Sequence, residues 1–359
     1  MTASDAETLS IRDLLALGGD AALNAFLDQR LSYTEPYGAL DLRAAIAATY
    51  DSAEAADVLC FAGAEEGVYC LYRTLLDADA HAIVVTPNYQ SAETIPLSLC
   101  ETTGVALEPE QGWTLDIDCV ARAIRPNTRV LYMNFPHNPT GKILERDRFD
   151  ALVALCRRHG IWLFSDEVYR LIERDPTKRL PQAVDVYERG VSLNVMSKAY
   201  GLPGLRIGWI ACRDRELLER MVRLKHYLSI CNSAPSERLA LVALQHRDAI
   251  LARTRSVAEA GYSKVASFLA EFPDLFETYE PDGGVVMYPR YKGEDGVEVF
   301  CRSLVESAGA VLLPASIYGS ALTPGTSDRF RIGYGRLGLD DGLAAMRAHL
   351  RRNLCAASR

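Results

Sequence analysis

The amino-acid sequence predicts an α/β fold, with a mostly parallel central sheet between helices and a smaller α+β C-terminal domain. Short, continuously apolar runs alternate with stretches of helical period, which is typical of parallel strands covered on both faces. After about residue 230 the alternation gives way to longer helices and short mixed segments. The 359 residues suffice for two domains, since a domain commonly has about 150 residues.

Each predicted element follows from a local pattern. The strands predicted for the large domain are Ala82–Thr86, Val130–Asn134, Ile161–Ser165, Val191–Val195 and Ile207–Ala211. Arg146–His159 carries its apolar side chains on one helix face, and Gly160 follows as a suitable stop. Further on, the pattern predicts helices over Pro235–Leu251, Tyr262–Phe272 and Leu339–Leu350, and short segments at Gly284–Pro289, Val311–Pro314 and Arg329–Gly333. We therefore expect an N-terminal arm (1–31), a large domain (32–230) and a small domain (231–359).

Composition excludes several classes of function. With 49% apolar and 24% charged residues, the chain is expected to be globular with a sizeable core. The net charge of −8 argues against a nucleic-acid partner. No apolar run reaches the roughly 18 residues of a membrane span, and the first residues do not resemble a signal peptide. Nine cysteines without a CxxC pair suggest reduced thiols, so we expect a cytoplasmic protein.

Some motifs do not hold. Gly333–Gly338 matches G-x-G-x-x-G, but the sequence beyond it offers no second strand with an acid, as a dinucleotide site requires. We therefore expect a glycine-rich turn before the last helix. The six histidines show no metal-ligand spacing, and no metal site is expected.

The strongest signal is the run Ser197–Trp209, SKAYGLPGLRIGW, which follows a predicted strand. A lysine at a strand end in a cleft can be desolvated and act as an amine nucleophile. Arg206 is near enough in sequence to supply a fixed cation for a phosphate. Two further motifs end neighbouring strands, NFPHNPTG at Asn134–Gly141 and SDEVY at Ser165–Tyr169.

Parallel strands expose their carboxyl ends at one edge of the sheet, where ligands bind. Asn138, Asp166, Tyr169 and Lys198 are therefore expected to face one crevice. Pyridoxal phosphate requires such a set: a carboxylate for the pyridine nitrogen, a phenol and an amide for the ring oxygen, and a lysine for the Schiff base. Taken singly, the residues have ordinary alternatives, since Asp166 could cap a helix and Arg206 could be a surface cation.

In their order, these motifs resemble those of the class I/II aminotransferases, the fold-type-I pyridoxal-phosphate enzymes, from about residue 32 onwards. The resemblance implies a homodimer in which Lys198 is the Schiff-base lysine and proton carrier. It implies that Asp166 pairs with the pyridine nitrogen, that Tyr169 and Asn138 bond the ring oxygen, and that Asn138 also contacts substrate. The other implied roles are phosphate binding by Ser197, Arg206, Gly63, Ala64 and Glu65, ring stacking by Tyr89, contact with the neighbouring subunit's phosphate by Tyr33, and clamping of the substrate carboxylate by Arg331.

Several assignments have competitors or departures. Tyr37 competes with Tyr33, and Arg329 and Arg336 compete with Arg331. Val195 stands where the family often has a serine or threonine that helps to hold the phosphate. The family's glycine-rich substrate loop is not clear in the N-terminal arm, where Gly18-Gly19 is the nearest candidate.

The expected function is transfer of an amino group between an L-amino acid and a 2-oxo acid. The rival within the fold is a lyase or cyclase, because the NFPHNP and SKAYGLPGLR segments also resemble those of capreomycidine synthase, which closes a ring on a hydroxyarginine. The same motifs serve both reactions, since a fold does not determine a reaction. A non-enzymatic alternative is a regulatory or cofactor-binding module on this fold. Such a module usually has an attached DNA-binding segment, for which we find no candidate before residue 32, so we favour an enzyme.

Overall fold

A computed structural model describes residues 1–357, and residues 358 and 359 of the predicted small domain lie outside it. The central sheet is built from β1 (Val58–Phe61), β2 (His81–Thr86), β3 (Glu101–Ala106), β4 (Thr128–Asn134), β5 (Trp162–Asp166), β6 (Gly190–Val195) and β7 (Gly208–Cys212). Its strand order is β1-β7-β6-β5-β4-β2-β3. β7 pairs antiparallel with β1 and β6, and the other pairs are parallel. The predicted, mostly parallel sheet is therefore confirmed.

The helices are α1 (Ile11–Leu27), α2 (Leu40–Ala47), α3 (Ala64–Leu75), α4 (Ser91–Leu97), α5 (Ile117–Ala123), α6 (Arg146–His159), α7 (Ala183–Val186), α8 (Arg215–Lys225), α9 (Ala234–Gln245), α10 (Arg247–Ala270), α11 (Val297–Ala308) and α12 (Leu339–Ala357). The bounds of α6 are those predicted, and Gly160 ends it in the left-handed conformation, with φ 66°. Along residues 1–357, no helix combines the length and apolarity needed to cross a membrane.

Strand side chains alternate between two apolar cores, one on each face of the sheet. On β4, Val130 and Tyr132 enter the core that also holds α3 and α8. Leu131 and Met133 enter the core that also holds α6 and α9. Because helices cover both faces, neither set of side chains reaches water, which explains the continuously apolar strands in the sequence.

The C-terminal part contains short strands and long helices, as expected. Its strands are β8 (Phe276–Glu277), β9 (Val286–Met287), β10 (Arg290–Tyr291), β11 (Leu313–Pro314) and β12 (Phe330–Gly333). The order β11-β12-β9 forms a small antiparallel sheet, and β10 pairs with β8.

The helix bounds predicted between residues 235 and 272 are wrong. The helix is interrupted at His246, and α10 then continues without interruption through Gly261. A glycine in a helical pattern suggests a helix end, but this one serves close packing. A Cβ at Gly261 would lie 2.0 Å from the carbonyl oxygen of Tyr334, so the helix can pass there only without a side chain.

A buried lysine anchors the segment that follows α1. Lys225, at the end of α8, has no solvent exposure, and its Nζ donates to the carbonyls of Pro36 at 2.6 Å and Cys60 at 2.7 Å. Burial lowers its pKa, while nearby carboxylates, including Glu66 and Glu237, favour the charged form. Lys225 thereby joins the Tyr33–Gly38 segment to β1 and to the start of α3.

We expect Lys225→Met to lower the free energy of unfolding by about 2–4 kcal/mol, because two buried carbonyls and the neighbouring carboxylates lose their cation. Urea unfolding followed by circular dichroism measures the change. The matched control is Lys292→Met, since Lys292 is exposed and also donates to a carbonyl, that of Pro273. Equal stability of the two variants would contradict the anchoring role.

Candidate active site

A cavity of about 250 Å³ opens at the carboxyl edge of the central sheet. Nine residues singled out from the sequence line it: Ala64, Glu65, Tyr89, Asn138, Asp166, Tyr169, Ser197, Lys198 and Arg206. They come from five separate segments of the chain, which the strand order brings together. The expectation that one crevice collects these side chains is therefore met, while the role of each remains a prediction.

The floor of the cavity holds a buried carboxyl group. Asp166 ends β5, and its Oδ2 accepts the Tyr132 hydroxyl at 2.8 Å while its Oδ1 accepts the Val168 N–H at 3.2 Å. Burial raises the pKa of Asp166 to about 6, and the charge of Glu65 adds to this, although both hydrogen bonds favour the ionised form. Such a group suits a cationic ligand atom, because a nearby positive charge stabilises the ionised carboxylate in place of the water that burial removes. Tyr132 carries no signal in the sequence, because it lies inside a continuously apolar strand.

A chain of hydrogen bonds leads from Asp166 to a buried arginine. The Asn134 amide donates to the Asp166 carbonyl at 2.9 Å and accepts the Asn138 N–H at 2.9 Å. The Asn138 side-chain oxygen in turn accepts Nη1 of Arg331 at 3.0 Å. Arg331 is 5% exposed, and its Nε is buried without a partner. Its guanidinium carbon lies 5.6 Å from the centre of the Tyr318 ring.

The two competing arginines are placed differently. Arg329 lies over the Trp113 ring at 5.1 Å and donates to the Tyr288 carbonyl. Arg336 forms an ion pair with Asp5. Like Arg331, neither of them lines the cavity, and neither contacts Asn138. The link to Asn138 therefore favours Arg331 as the arginine available to a ligand carboxylate.

The cavity wall also combines the N-terminus of α3 with a cation, Arg206. Gly63 precedes α3 with φ +97°, and a Cβ there would lie 2.3 Å from Nη2 of Arg206. Arg206 itself adopts the left-handed conformation, with φ 51°. Free N–H groups beside a guanidinium, with no side chain between them, fit a phosphate. The side chain of Val195 lines the same cavity, so the hydroxyl common at that position in the family is absent.

Lys198 meets an unexpected segment of the chain. Its Nζ donates to Oγ of Ser4 at 2.9 Å and lies 5.6 Å from the centre of the Tyr169 ring. The Tyr169 hydroxyl donates to the Ser4 carbonyl at 2.8 Å, and Asp5 also lines the cavity. Positions 1–10 carry no motif and no periodicity, so no site residue was predicted among them.

The suggested role of Gly18-Gly19 as a substrate loop is wrong. Both residues lie within α1, where Gly19 produces a kink with φ 64°. A Cβ at Gly18 would meet His246 at 3.4 Å and Val242 at 3.9 Å, so this part of α1 packs against α9. Neither glycine lines the cavity.

The two tyrosines expected near the cofactor differ in position. Tyr89 lines the cavity and remains half exposed, as an aromatic that covers a ligand would. Tyr33 is 85% exposed and does not line the cavity of its own chain. Tyr37 is partly buried, with the Arg43 guanidinium over its ring at 5.8 Å. The exposed Tyr33 is thus the tyrosine free to reach another molecule.

Comparison with known proteins identifies the family. The sequence model of the protein family described as aminotransferase class I and II matches residues 20–338 of this chain. The chain belongs to the class I and II aminotransferase family. The predicted fold-type-I architecture, the enzyme class and pyridoxal phosphate as cofactor are thereby confirmed.

Individual relatives of this aminotransferase-family chain differ in their named reactions. Capreomycidine synthase of Streptomyces vinaceus is 30% identical over 317 residues, which cover 86% of this chain and 78% of that protein. The arginine–pyruvate transaminase AruH of Pseudomonas aeruginosa is 28% identical over 347 residues, which cover 94% of this chain and 85% of that protein. A solved PLP-dependent aminotransferase from Streptococcus suis has a TM-score of 0.91 and 26% identity, covering 98% of this chain and 92% of that one.

We expect the affinity for pyridoxal phosphate to fall as the pH drops below about 6, in a manner that depends on Asp166. The raised pKa of Asp166 means that its carboxyl is ionised above about pH 6 and protonated below it. A protonated pyridine nitrogen favours the ionised form, so this part of the affinity is complete above the pKa and decreases by about tenfold per pH unit well below it.

Titration of cofactor-free protein between pH 5 and 8, followed by absorbance, measures this dependence. Asp166→Asn should bind more weakly at pH 8 and show a shallower pH dependence. Only the slope that the cofactor's own phosphate causes should remain, because that phosphate also titrates near pH 6. Asp248→Asn is the control, since Asp248 lies fully exposed on α10. Identical slopes in wild type and Asp166→Asn would refute the assignment.

Proposed function

We propose that this enzyme transfers an amino group between an L-amino acid and a 2-oxo acid. The observation that carries the proposal is the hydrogen bond, at 3.0 Å, from Arg331 to Asn138, which lines the same cavity as Lys198. The unpaired Nε–H of Arg331, together with the second N–H of an Nη nitrogen, can bind a carboxylate through two hydrogen bonds. An amino acid held there by its carboxylate would place its α-amino group and Cα towards Lys198.

Each part of the cavity has a distinct task in this reaction. When bound, pyridoxal phosphate supplies an electron sink for the negative charge left on Cα. Asp166 would hold the proton on the pyridine nitrogen, and the Tyr169 and Asn138 side chains would bond the ring oxygen. Arg206, Ser197 and the start of α3 would hold the phosphate. Nζ of Lys198 would accept the Cα proton as a base and then release it as an acid.

The carboxylates of the cavity favour transfer over elimination or ring closure. A lyase or cyclase benefits from an acid that protonates the departing β- or γ-group. The acids lining the cavity are Asp5, Glu65 and Asp166. Asp5 is paired with Arg336, and Asp166 accepts the Tyr132 hydroxyl. Glu65 lies at the start of α3, by the proposed phosphate site, and burial raises its pKa, so it is the lining acid that elimination or ring closure would have to use.

The second candidate is a lyase or cyclase reaction, in which a β- or γ-substituent of the amino acid is eliminated or replaced, as in ring closure. It is favoured by the relative named capreomycidine synthase, which is 30% identical. Both reactions begin with the same removal of the Cα proton, so the residues that hold the cofactor do not separate them. They differ in whether a proton reaches C4′ or a substituent leaves.

We also propose a homodimer, and we retain the predicted cytoplasmic location. Leu31 and Tyr33 are more than four-fifths exposed, as is Tyr227 after α8. The hydroxyl of Thr34 donates to the Asn232 carbonyl at 3.1 Å, so these two segments lie side by side. Exposed aromatic and aliphatic side chains on adjoining segments are typical of a protein–protein interface.

The cysteines that the structure describes are unbridged, which suits a reducing compartment.

The reaction class is tested by one turnover with an amino donor and no acceptor. Transfer predicts loss of the visible absorbance of lysine-bound cofactor, recovery of the cofactor in its amine form and one equivalent of 2-oxo acid. The donor panel includes arginine, and Lys198→Ala is the control that should give no product. If every plain donor is inert while a hydroxyarginine is consumed and the cofactor absorbance returns, the lyase or cyclase function replaces the transaminase.

The dimer is tested by mixing inactive variants. Lys198→Ala and Tyr33→Ala should be nearly inactive alone and regain activity when mixed, because one site of the mixed dimer then has both intact residues. A mixture of Lys198→Ala and Asp166→Asn is the control, since both residues serve the cavity of their own chain and no intact site can form. Full activity in a preparation that sediments as a monomer would contradict the proposal.

A further inference from the structure

The first eight residues lie along the end of β12 and the turn that follows it. The Gly333 N–H donates to the Met1 carbonyl at 3.0 Å, and the Glu7 N–H donates to the Gly335 carbonyl at 2.7 Å. Asp5 forms an ion pair with Arg336. We call residues 1–8 the N-terminal segment.

Glycines allow this segment to approach closely. A Cβ at Gly333 would lie 1.9 Å from the Ala3 carbonyl oxygen, and one at Gly335 would lie 2.7 Å from that of Asp5. From the large domain, a Cβ at Gly201 would lie 2.8 Å from the Glu7 carbonyl oxygen. The G-x-G-x-x-G run that fails as a dinucleotide motif is thus partly explained, because two of its glycines make room for a neighbouring backbone.

This packing leaves one hydroxyl of the segment directed at the catalytic lysine. Oγ of Ser4 is 2.9 Å from Nζ of Lys198, and the carbonyl of the same residue accepts the Tyr169 hydroxyl at 2.8 Å. Within residues 1–357, Ser4 is the hydrogen-bond partner that the structure gives to this amine. The segment is fixed on both sides of Ser4. The backbone carbonyl of Thr2 accepts a hydrogen bond from Nη2 of Arg331 at 2.6 Å, and the Asp5 side chain is paired with Arg336.

We propose that Ser4 is a positioning residue for Lys198, whose hydroxyl holds Nζ in the direction from which it exchanges the Cα proton. A lysine side chain has four flexible carbons and can turn its amine away from a reacting atom. A hydroxyl fixed by the surrounding backbone restricts Nζ to one direction, and a misplacement of about 1 Å can cost 100-fold in rate. The inference rests on the proposed function for the role of Lys198 as proton carrier.

The test compares Ser4→Ala with Ser4→Thr, which keeps the hydroxyl, in cofactor-loaded enzyme. The measured step is exchange of the Cα proton of an amino acid with deuterated water, which both aminotransferase and lyase or cyclase chemistry require. Ser4→Ala should lose roughly 10- to 100-fold in the rate constant at saturation, with KM nearly unchanged. Ser4→Thr should retain most of the wild-type rate.

A second measurement needs no turnover. Because Ser4 Oγ accepts a hydrogen bond from Nζ, its removal disfavours the protonated nitrogen. The pH midpoint of the visible absorbance of lysine-bound cofactor should therefore move to lower pH in Ser4→Ala. Ser10→Ala is the matched control, since Ser10 is an exposed serine whose side chain caps α1 by accepting the Asp13 N–H.

The outcomes are distinct. Unchanged exchange and an unchanged midpoint in Ser4→Ala overturn the proposal, as does an equal loss in Ser10→Ala or in Ser4→Thr, because the hydroxyl would then not be the cause. If wild-type enzyme exchanges no Cα proton from any amino acid tested, the proposed function fails. The midpoint shift would still support or refute the contact between Ser4 and Lys198.

Discussion

Parallel pairing of the three middle strands is the constraint on which the rest of the site depends. β4 and β5 pair with Asn134 opposite Asp166, and β5 and β6 pair with Asp166 opposite Leu193. The segments that follow these strands therefore begin at one edge, however far apart they are in sequence. A slip of β5 by one residue would turn Asp166 to the other face of the sheet and separate it from Tyr132. The continuous apolar strands that hold this register are thus as necessary to the site as the polar residues at their ends.

The site carries electrostatic costs that a ligand can relieve. Burial raises the pKa of Asp166 to about 6, and Arg331 is buried with one N–H unpaired. Desolvating either group is unfavourable unless an opposite charge or hydrogen-bond partner replaces water. A ring cation at Asp166 and a carboxylate at Arg331 would each supply that partner. Because Asp166 and Arg331 lie at separate points, a ligand that supplied both partners would be held in one orientation.

Local signals allowed much of the site to be predicted. Asp166 and Lys198 end or follow apolar strands, so their meeting at one edge was expected from the parallel direction of those strands. Ser4 could not be found in this way, because it lies 194 positions from Lys198 and no periodicity relates the two segments. Tyr132 was hidden for another reason: in an apolar strand, nothing local separates a tyrosine that only packs from one whose hydroxyl holds a carboxylate. The break at His246 has no glycine or proline to mark it, whereas Gly261 looked like a break and is a packing contact.

Three distant parts of the chain meet at Arg331, so the position of its side chain depends on how all three pack together. Its backbone belongs to β12, its Nη1 reaches Asn138 beyond β4, and its Nη2 reaches the Thr2 carbonyl. A movement of the C-terminal part relative to the central sheet would change the distance from Nη1 of Arg331 to Asn138. Because the same N-terminal segment also contacts Lys198 through Ser4, such a movement would act on Lys198 as well as on Arg331. The contacts that join the two ends of the chain are therefore contacts of the two residues proposed to bind the substrate carboxylate and to carry the Cα proton.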